Sequence, residues 1–302
     1  MFALSALIAL LADALLGWPD ALYRRLGHPV VWIGALIERL DHRMNRGSER
    51  FGKGMAASLI VIAAAVLPAL ILQSLLGPVI AGLLAWPLVA ARSLHDHLRA
   101  VETPLLAGNL KAAREATSMI VGRDVSRADE AALSRAGIES LAENASDGVV
   151  APLFWAAAAG LPGIAAYKAI NTLDSMIGHR TPRHQEFGRF AARLDDFANW
   201  LPARLTALLF TLASGSLHPW RIARRDAGGH RSPNAGWPEA AMAAALKVRL
   251  SGPRIYGSQI ADEPWLNGSD RDPDATDIEP ALALYRRAII AGGLVLLVIV
   301  LL

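Results

Sequence analysis

MAASLIVIAAAVLPALILQSLLGPVIAGLLAWPLVAA, residues 55–91, contains no Asp, Glu, Lys, Arg or His. A membrane-crossing helix needs about 20 apolar residues, so these 37 are too many for one span and nearly enough for two. Gly77-Pro78 stands where a turn would fall, because glycine tolerates unusual backbone angles and proline follows helix ends. The stretch predicts two helices, about 55–75 and 78–91, with one long buried core helix as the alternative. Working outward, further apolar segments lie at about 1–18, 149–167, 197–217 and 288–302. The first carries one charge, Asp13, and lacks the basic start and cleavage site of a signal peptide, so it is expected to stay as a membrane helix. The last is short for a crossing and can begin nearer Pro280, with Arg286 and Arg287 at the headgroups.

The expected fold is all-α: a polytopic integral membrane protein, one domain over 1–302, with amphipathic or soluble helices in its loops. Chemistry is expected in the polar stretches 92–148 and 168–196. Overall, 53% of residues are hydrophobic and 19% charged, against about 45–50% and about 25% in soluble domains. The departure is modest because the charges gather in loops. The absence of cysteine excludes disulfides, thiolate metal sites and cysteine nucleophiles. The lipid bilayer is the partner implied; no nucleic acid is expected.

Lys and Arg near span ends favour the cytoplasmic side. Arg24, Arg25, Arg39, Arg43, Arg46, Arg50 and Lys53 precede the 55–91 stretch, and Arg92, Arg99, Lys111, Arg114, Arg123, Arg127 and Arg135 follow it. Both flanks therefore sit at the cytoplasmic face of a bacterial inner membrane. If 149–167 crosses once, Lys168, Arg180, Arg183, Arg189 and Arg193 fall outside, against the same rule. A re-entrant pair of half-helices broken at Leu161-Pro162-Gly163 avoids this, since broken backbone is allowed where protein or a wet cavity surrounds it. The segment 197–217 raises the same parity problem. The re-entrant arrangement is favoured, and a simple crossing stays open.

Three polar clusters stand at the edges of these segments. Glu139, Glu143 and Asp147 are spaced by four, which puts three carboxylates on one helix face beside Asn144. Like charges so placed repel, so a divalent cation or cationic ligand is one explanation and a solvated face paired with Arg135 is another. Mg²⁺ prefers one or two carboxylates plus substrate phosphates. Asn171 and Asp174 share a second helix face, ahead of a loop with His179 and Arg180. The third cluster is Arg193, Asp195, Asp196 and Asn199. Helix capping and interfacial solvation would explain either of the last two alone; acid–amide motifs at three adjacent membrane boundaries point to function. Arg123, Arg180, Arg193, Arg204 and the run His230-Arg231-Ser232-Pro233-Asn234 could meet phosphates, which arginine holds bidentately. No glycine-rich phosphate loop of the two common kinds is present.

These residues resemble the adenosylcobinamide-phosphate synthases, the CobD/CbiB family of cobalamin biosynthesis. The resemblance rests on His28-Pro29-Val30, Val121-Gly122-Arg123-Asp124, the run from Arg135 through Asp147-Gly148 to Trp155, Ala169 to Arg180, Ala192 to Arg204, and Ser232 to Glu239. Gly17-Trp18-Pro19 departs from the family's more usual Gly-Asp-Pro, and 254–285 carries little of the pattern. The resemblance implies an ATP- and Mg²⁺-dependent ligation of adenosylcobyric acid with an amino-alcohol phosphate at the cytoplasmic face, with other membrane enzymes of that pathway as further partners. It implies that Glu139, Glu143, Asp147, Asp174, Asp195 and Asp196 hold Mg²⁺-nucleotide. Arg123, Asn144, Asn171, Arg180, Arg193, Asn199 and Asn234 would bind substrate or phosphate, and His179, Glu143 and Asp174 would act in catalysis, His179 as the base. Two rivals remain: an Mg²⁺-dependent membrane prenyl- or alcohol-phosphate transferase, and a non-catalytic scaffold for pathway enzymes.

Overall fold

A computed structural model describes residues 2–256, 259–261 and 263–302. It is mostly helical, with α1 (Phe2–Leu16), α2 (Asp20–Leu26), α3 (Pro29–Met44), α4 (Arg50–Ala85), α5 (Ala91–Leu106) and α6 (Leu110–Ser118). The chain continues through α7 (Glu130–Asn144), α8 (Ala151–Ile177), α9 (Arg189–Ser214), α10 (His218–Asp226), α11 (Gly236–Leu246) and α12 (Ile278–Leu301). Two short antiparallel ladders pair Leu250–Ser251 with Trp265–Leu266, and Arg254–Tyr256 with Gln259–Ala261. The chain is organised as two compact units. The first contains Met1–Ala90, Ala151–Asn199 and Gly293–Leu302, the second Ala91–Val150 and Trp200–Gly292.

Among the described residues, three helical runs are long and apolar enough to cross a membrane: Arg50–Leu106, Glu130–Ile177 and Ala275–Leu301. Phe2–Leu16 and Ala21–Met44, bent by 112°, make a fourth if they form one span. α9 is not among them, because Asn199, Pro202 and Arg204 dilute its apolar part. On α4, Leu59, Ile60, Leu67, Leu70, Ile71 and Leu75 are 46–73% exposed. Six such half-exposed side chains forgo on the order of 5–10 kcal/mol of burial, comparable to the roughly 5–15 kcal/mol stability of a whole domain. That face is built for lipid.

In the first unit, α4 breaks at Gly77 (φ 70°, ψ 177°), where the sequence placed the turn. α8 breaks too, at Gly160 (φ 68°, ψ −149°), one residue before the predicted Leu161-Pro162-Gly163. The displacement has a simple cause. Glycine alone supplies the positive φ, and Pro162 then falls in the first turn of the next half-helix, where its missing N–H costs nothing. The opening N–H of that half, on Leu161, donates to the Gln73 Oε1 of α4 at 2.7 Å. Gln73 is the only amide in the charge-free run, and it satisfies a helix-end donor that hydrocarbon could not. Beyond the breaks, Ile37, Val61, Leu173, Ile177 and Phe187 form a core joining α3, α4, α8 and the α8–α9 loop.

In the second unit, Asp129 caps α7 by accepting from the Ala132 N–H at 2.8 Å. Gly137 lets α7 approach Leu98 of α5. After α7 the backbone widens into a π turn, Ala145–Val150. Arg249 grips Asp272 with two hydrogen bonds, 3.0 and 2.6 Å, and lies 4.1 Å over the Trp265 ring. The Arg249 hydrogen bond holds the Asp272 carboxyl below the usual carboxylate range, and Thr276 does the same for Asp274. A carboxyl whose folded pKa is depressed stabilises the fold above its unfolded value, about 3.9, and loses that contribution as pH falls through the folded value. Detergent-purified protein is therefore expected to melt at steadily lower temperature as pH drops below about 4, and Asp272→Asn is expected to flatten that dependence in a fluorescence melt.

Candidate functional site

The α8 end and the α9 start bring two of the three sequence clusters together within the first unit. Asp195 lies at their centre. Its Oδ2 accepts from the Asn199 amide at 3.0 Å and its Oδ1 from the Asn171 amide at 3.4 Å. The Asn199 carbonyl oxygen in turn accepts from the Tyr167 hydroxyl at 2.8 Å. Asp195 is 9% exposed, and Asn199 and Tyr167 are 1% exposed, so the network is walled from solvent. Burial first, and the neighbouring Asp174 carboxylate second, raise the Asp195 pKa to about 7. Asp174 also feels Asp196 and His179, and Asp196 feels Arg180. Three carboxylates thus sit within electrostatic reach, with hydrogen bonds orienting one of them.

His179 and Arg180 are exposed on the loop between α8 and α9. That loop is tied down from α3 and α4. Asp41 pairs with Arg183 at 2.5 Å and with His184 at 3.4 Å, Asn45 donates to the Arg183 carbonyl at 3.1 Å, and Arg50 reaches the same carbonyl. Gly188 closes the loop so tightly that a Cβ there would overlap the Ile177 carbonyl. Asp41→Ala is expected to cost about 1 kcal/mol, since it removes the partner of exposed Arg183 and of half-buried Asn45 and His184, and to expose residues 178–188 to protease before the rest of the chain.

The remaining cluster lies in the second unit and behaves differently. Glu139 Oε2 accepts from Arg123 at 2.9 Å, and its Oε1 accepts from the Ser251 backbone N–H at 2.7 Å. Glu139 is buried and Glu143 exposed. A π turn, Ala145–Val150, follows α7 and contains Asp147. Asn144 donates to the Ser140 carbonyl of its own helix at 2.9 Å. Asn234 accepts from Arg204 at 3.0 Å, and that guanidinium lies over the Trp200 and Trp237 rings. Arg193 is exposed on α9. A cavity of about 510 Å³ opens beside Arg123, Arg127, Arg135, Ser126, Ser251 and Pro253.

Among the described residues, no three His, Asp or Glu side chains form a group able to hold a metal by themselves. The six acids are divided, with Glu139, Glu143 and Asp147 in one unit and Asp174, Asp195 and Asp196 in the other. Sequence reasoning did not find Tyr167, Gln73, Asp41 or Ser251. Tyr167 carried a signal, as the only phenol in the apolar 149–167 stretch. Ser251 carried none, because it acts through its backbone.

The family model described as CobD/Cbib protein matches residues 6–285. A Rhodobacter capsulatus protein named "Cobalamin biosynthesis protein CobD" is 58% identical over 302 residues, covering 98% of this chain and 96% of the relative. Proteins of the same name from Sinorhizobium fredii and Brucella suis are each 46% identical, covering 93% and 92% of this chain and 91% and 90% of their own lengths. No solved structure matches significantly. With a family model over nearly the whole chain and relatives this similar, the chain belongs to the CobD/Cbib protein family.

Proposed function

We propose that the protein serves cobalamin biosynthesis as an ATP-dependent acid–amine ligase at the cytoplasmic face of the membrane. It would join a carboxylate of adenosylcobyric acid to the amine of (R)-1-amino-2-propanol O-2-phosphate, or a related amino-alcohol phosphate, giving adenosylcobinamide phosphate. The names of the relatives support the pathway. The observation that carries the chemistry is Asp195, a buried carboxylate fixed by Asn171 and Asn199 beside a second acid.

A carboxylate is a poor acyl donor because its leaving group would be oxide. Transfer of the terminal phosphoryl group of ATP to a carboxylate oxygen gives an acyl phosphate and ADP. The amine then attacks the acyl carbon, the C–N bond forms, phosphate leaves, and the amine gives up one proton. Among the described residues Asp174, Asp195 and Asp196 make no metal group by themselves, so Mg²⁺ would come with the phosphates and take one or two of these carboxylates as ligands. Bound there, Mg²⁺ would supply charge neutralisation for the phosphates. Arg180 and Arg193 would meet phosphate oxygens, and His179 would take the amine proton on an imidazole nitrogen.

The test supplies detergent-purified protein with adenosylcobyric acid, aminopropanol phosphate, ATP and Mg²⁺. Adenosylcobinamide phosphate and stoichiometric ADP are expected by chromatography. Release of pyrophosphate in place of ADP, or no product from folded protein, overturns the proposal.

A further inference from the structure

In the second unit α9 is too dilute in apolar residues to count as a crossing helix, yet it shows a run of leucines to the outside. Leu201, Leu208 and Leu212 are exposed and lie along one helix face, Leu212 at 61%. The helix beside them fixes their depth. Gly292 of α12 leaves room for Leu209 of α9, since a Cβ there would stand 3.6 Å from the Leu209 Cδ1. Earlier on α12 Arg287 is exposed, and Ile290, three residues on, is 63% exposed. An arginine just ahead of exposed apolar residues marks the headgroup level, because its charged end stays wet while its stem lies along hydrocarbon. Gly292 is five residues past Arg287, about 7–8 Å along the helix axis. Leu208 and Leu212 therefore stand at the edge of the hydrocarbon layer.

The chain then turns back. α9 ends at Ser214, Gly215 takes a φ of 71°, and Leu217 is left 65% exposed before α10 begins. α10 has two unlike faces. It buries Pro219, Ile222 and Ala223, and its Trp220 ring packs 5.5 Å from that of Trp237, which holds it to α11. It exposes Arg221, Arg224 and Arg225. Arg225 is taken up by Asp226 through two hydrogen bonds, 2.5 and 2.9 Å. Arg221 and Arg224 pair with no acid among the described residues, and like charges one helical turn apart repel. Two unmatched guanidinium groups thus follow directly on exposed leucines at hydrocarbon depth.

We propose that the α9–α10 turn is seated in the membrane interface, where Arg221 and Arg224 bind the phosphates of anionic phospholipid headgroups. Both halves of the surface point to this occupant. An acidic soluble partner would match the arginines and leave Leu208 and Leu212 uncovered; a lipid surface takes the apolar side chains below its phosphates and the basic ones among them. The segment 197–217 then needs no crossing of its own, and the parity problem it posed disappears. The assignment is independent of the reaction proposed above.

Because the chain has no cysteine, Leu217→Cys gives a single attachment point for a bimane fluorophore. The labelled full-length protein is placed in vesicles of phosphatidylcholine and phosphatidylglycerol, with one or the other lipid carrying a nitroxide quencher high on its acyl chain. Both are expected to quench, and the phosphatidylglycerol form is expected to do so at several-fold lower mole fraction. An arginine near an anionic surface is worth about a fivefold gain in association, so Arg221→Gln with Arg224→Gln is expected to abolish the difference. Arg221→Lys with Arg224→Lys keeps the charge and is expected to keep most of it, and raised salt is expected to shrink it without any substitution. No quenching by either lipid would place the turn in water and overturn the proposal. Equal quenching by the two lipids, a preference that survives the glutamine pair or raised salt, or its loss in the lysine pair would overturn it as well.

Discussion

Asp195→Asn is expected to fold normally and to form adenosylcobinamide phosphate at least a hundredfold more slowly than the natural protein. The argument turns on what the carboxylate does for the fold. Asp195 is buried beside another acid, and both facts oppose its charge. An amide of the same shape keeps one carbonyl acceptor for Asn199, gives up the longer 3.4 Å bond from half-buried Asn171, and loses the repulsion, so the folded state has little to lose. In the proposed ligase the loss is large, because Asp195 would act on the phosphate through its cation, and removing one such electrostatic contact typically costs about 10²–10³ in rate. Asp195→Ala, by contrast, strands the buried Asn199 amide and costs about 1–3 kcal/mol in stability as well. A melting curve alongside product chromatography separates the two effects. Activity in Asp195→Asn within a few fold of the natural protein would mean the charge is not used.

The second large effect is expected at Gly160. Its φ of 68° with ψ of −149° lies where only glycine rests without strain, and a Cβ there would overlap the Gln73 Oε1. Gly160→Ala therefore costs on the order of 1–3 kcal/mol in backbone strain and displaces the amide that caps Leu161, leaving an N–H unpaired in an apolar setting, worth roughly 1–3 kcal/mol more. The expected result is little or no monodisperse protein after solubilisation. Gly77→Ala is the control. Its φ is 70°, but nothing lies within 4 Å of the added carbon, so it carries the strain alone. Equal losses in the two variants would show that the Gln73 contact contributes nothing.

These two sites also mark what could be read from sequence. The break at Gly77 was legible because two signals, the charge-free length and the Gly-Pro pair, coincide. The break at Gly160 was legible to within a residue, but its cap was not, since Gln73 is 88 positions from Leu161. Asn171, Asp174, Asp195, Asp196 and Asn199 were legible as separate motifs. Their convergence on Asp195 depends on how α8 and α9 meet, which no local spacing states. The Glu139–Glu143–Asp147 spacing was legible, but the partners that take up Glu139, Arg123 and the Ser251 N–H, were not. Ser251 was beyond reach, since a backbone N–H has no letter of its own.

The amide that caps Leu161 also bears on the order of assembly. The second half of α8 opens with a donor that hydrocarbon cannot satisfy, at a cost of several kcal/mol, and its partner belongs to α4. A chain made from its N-terminus has α4 finished before α8 leaves the ribosome. The earlier helix is then in place to meet that donor when the later one arrives. An α8 delivered without α4 would meet the bilayer with an open helix end at Leu161.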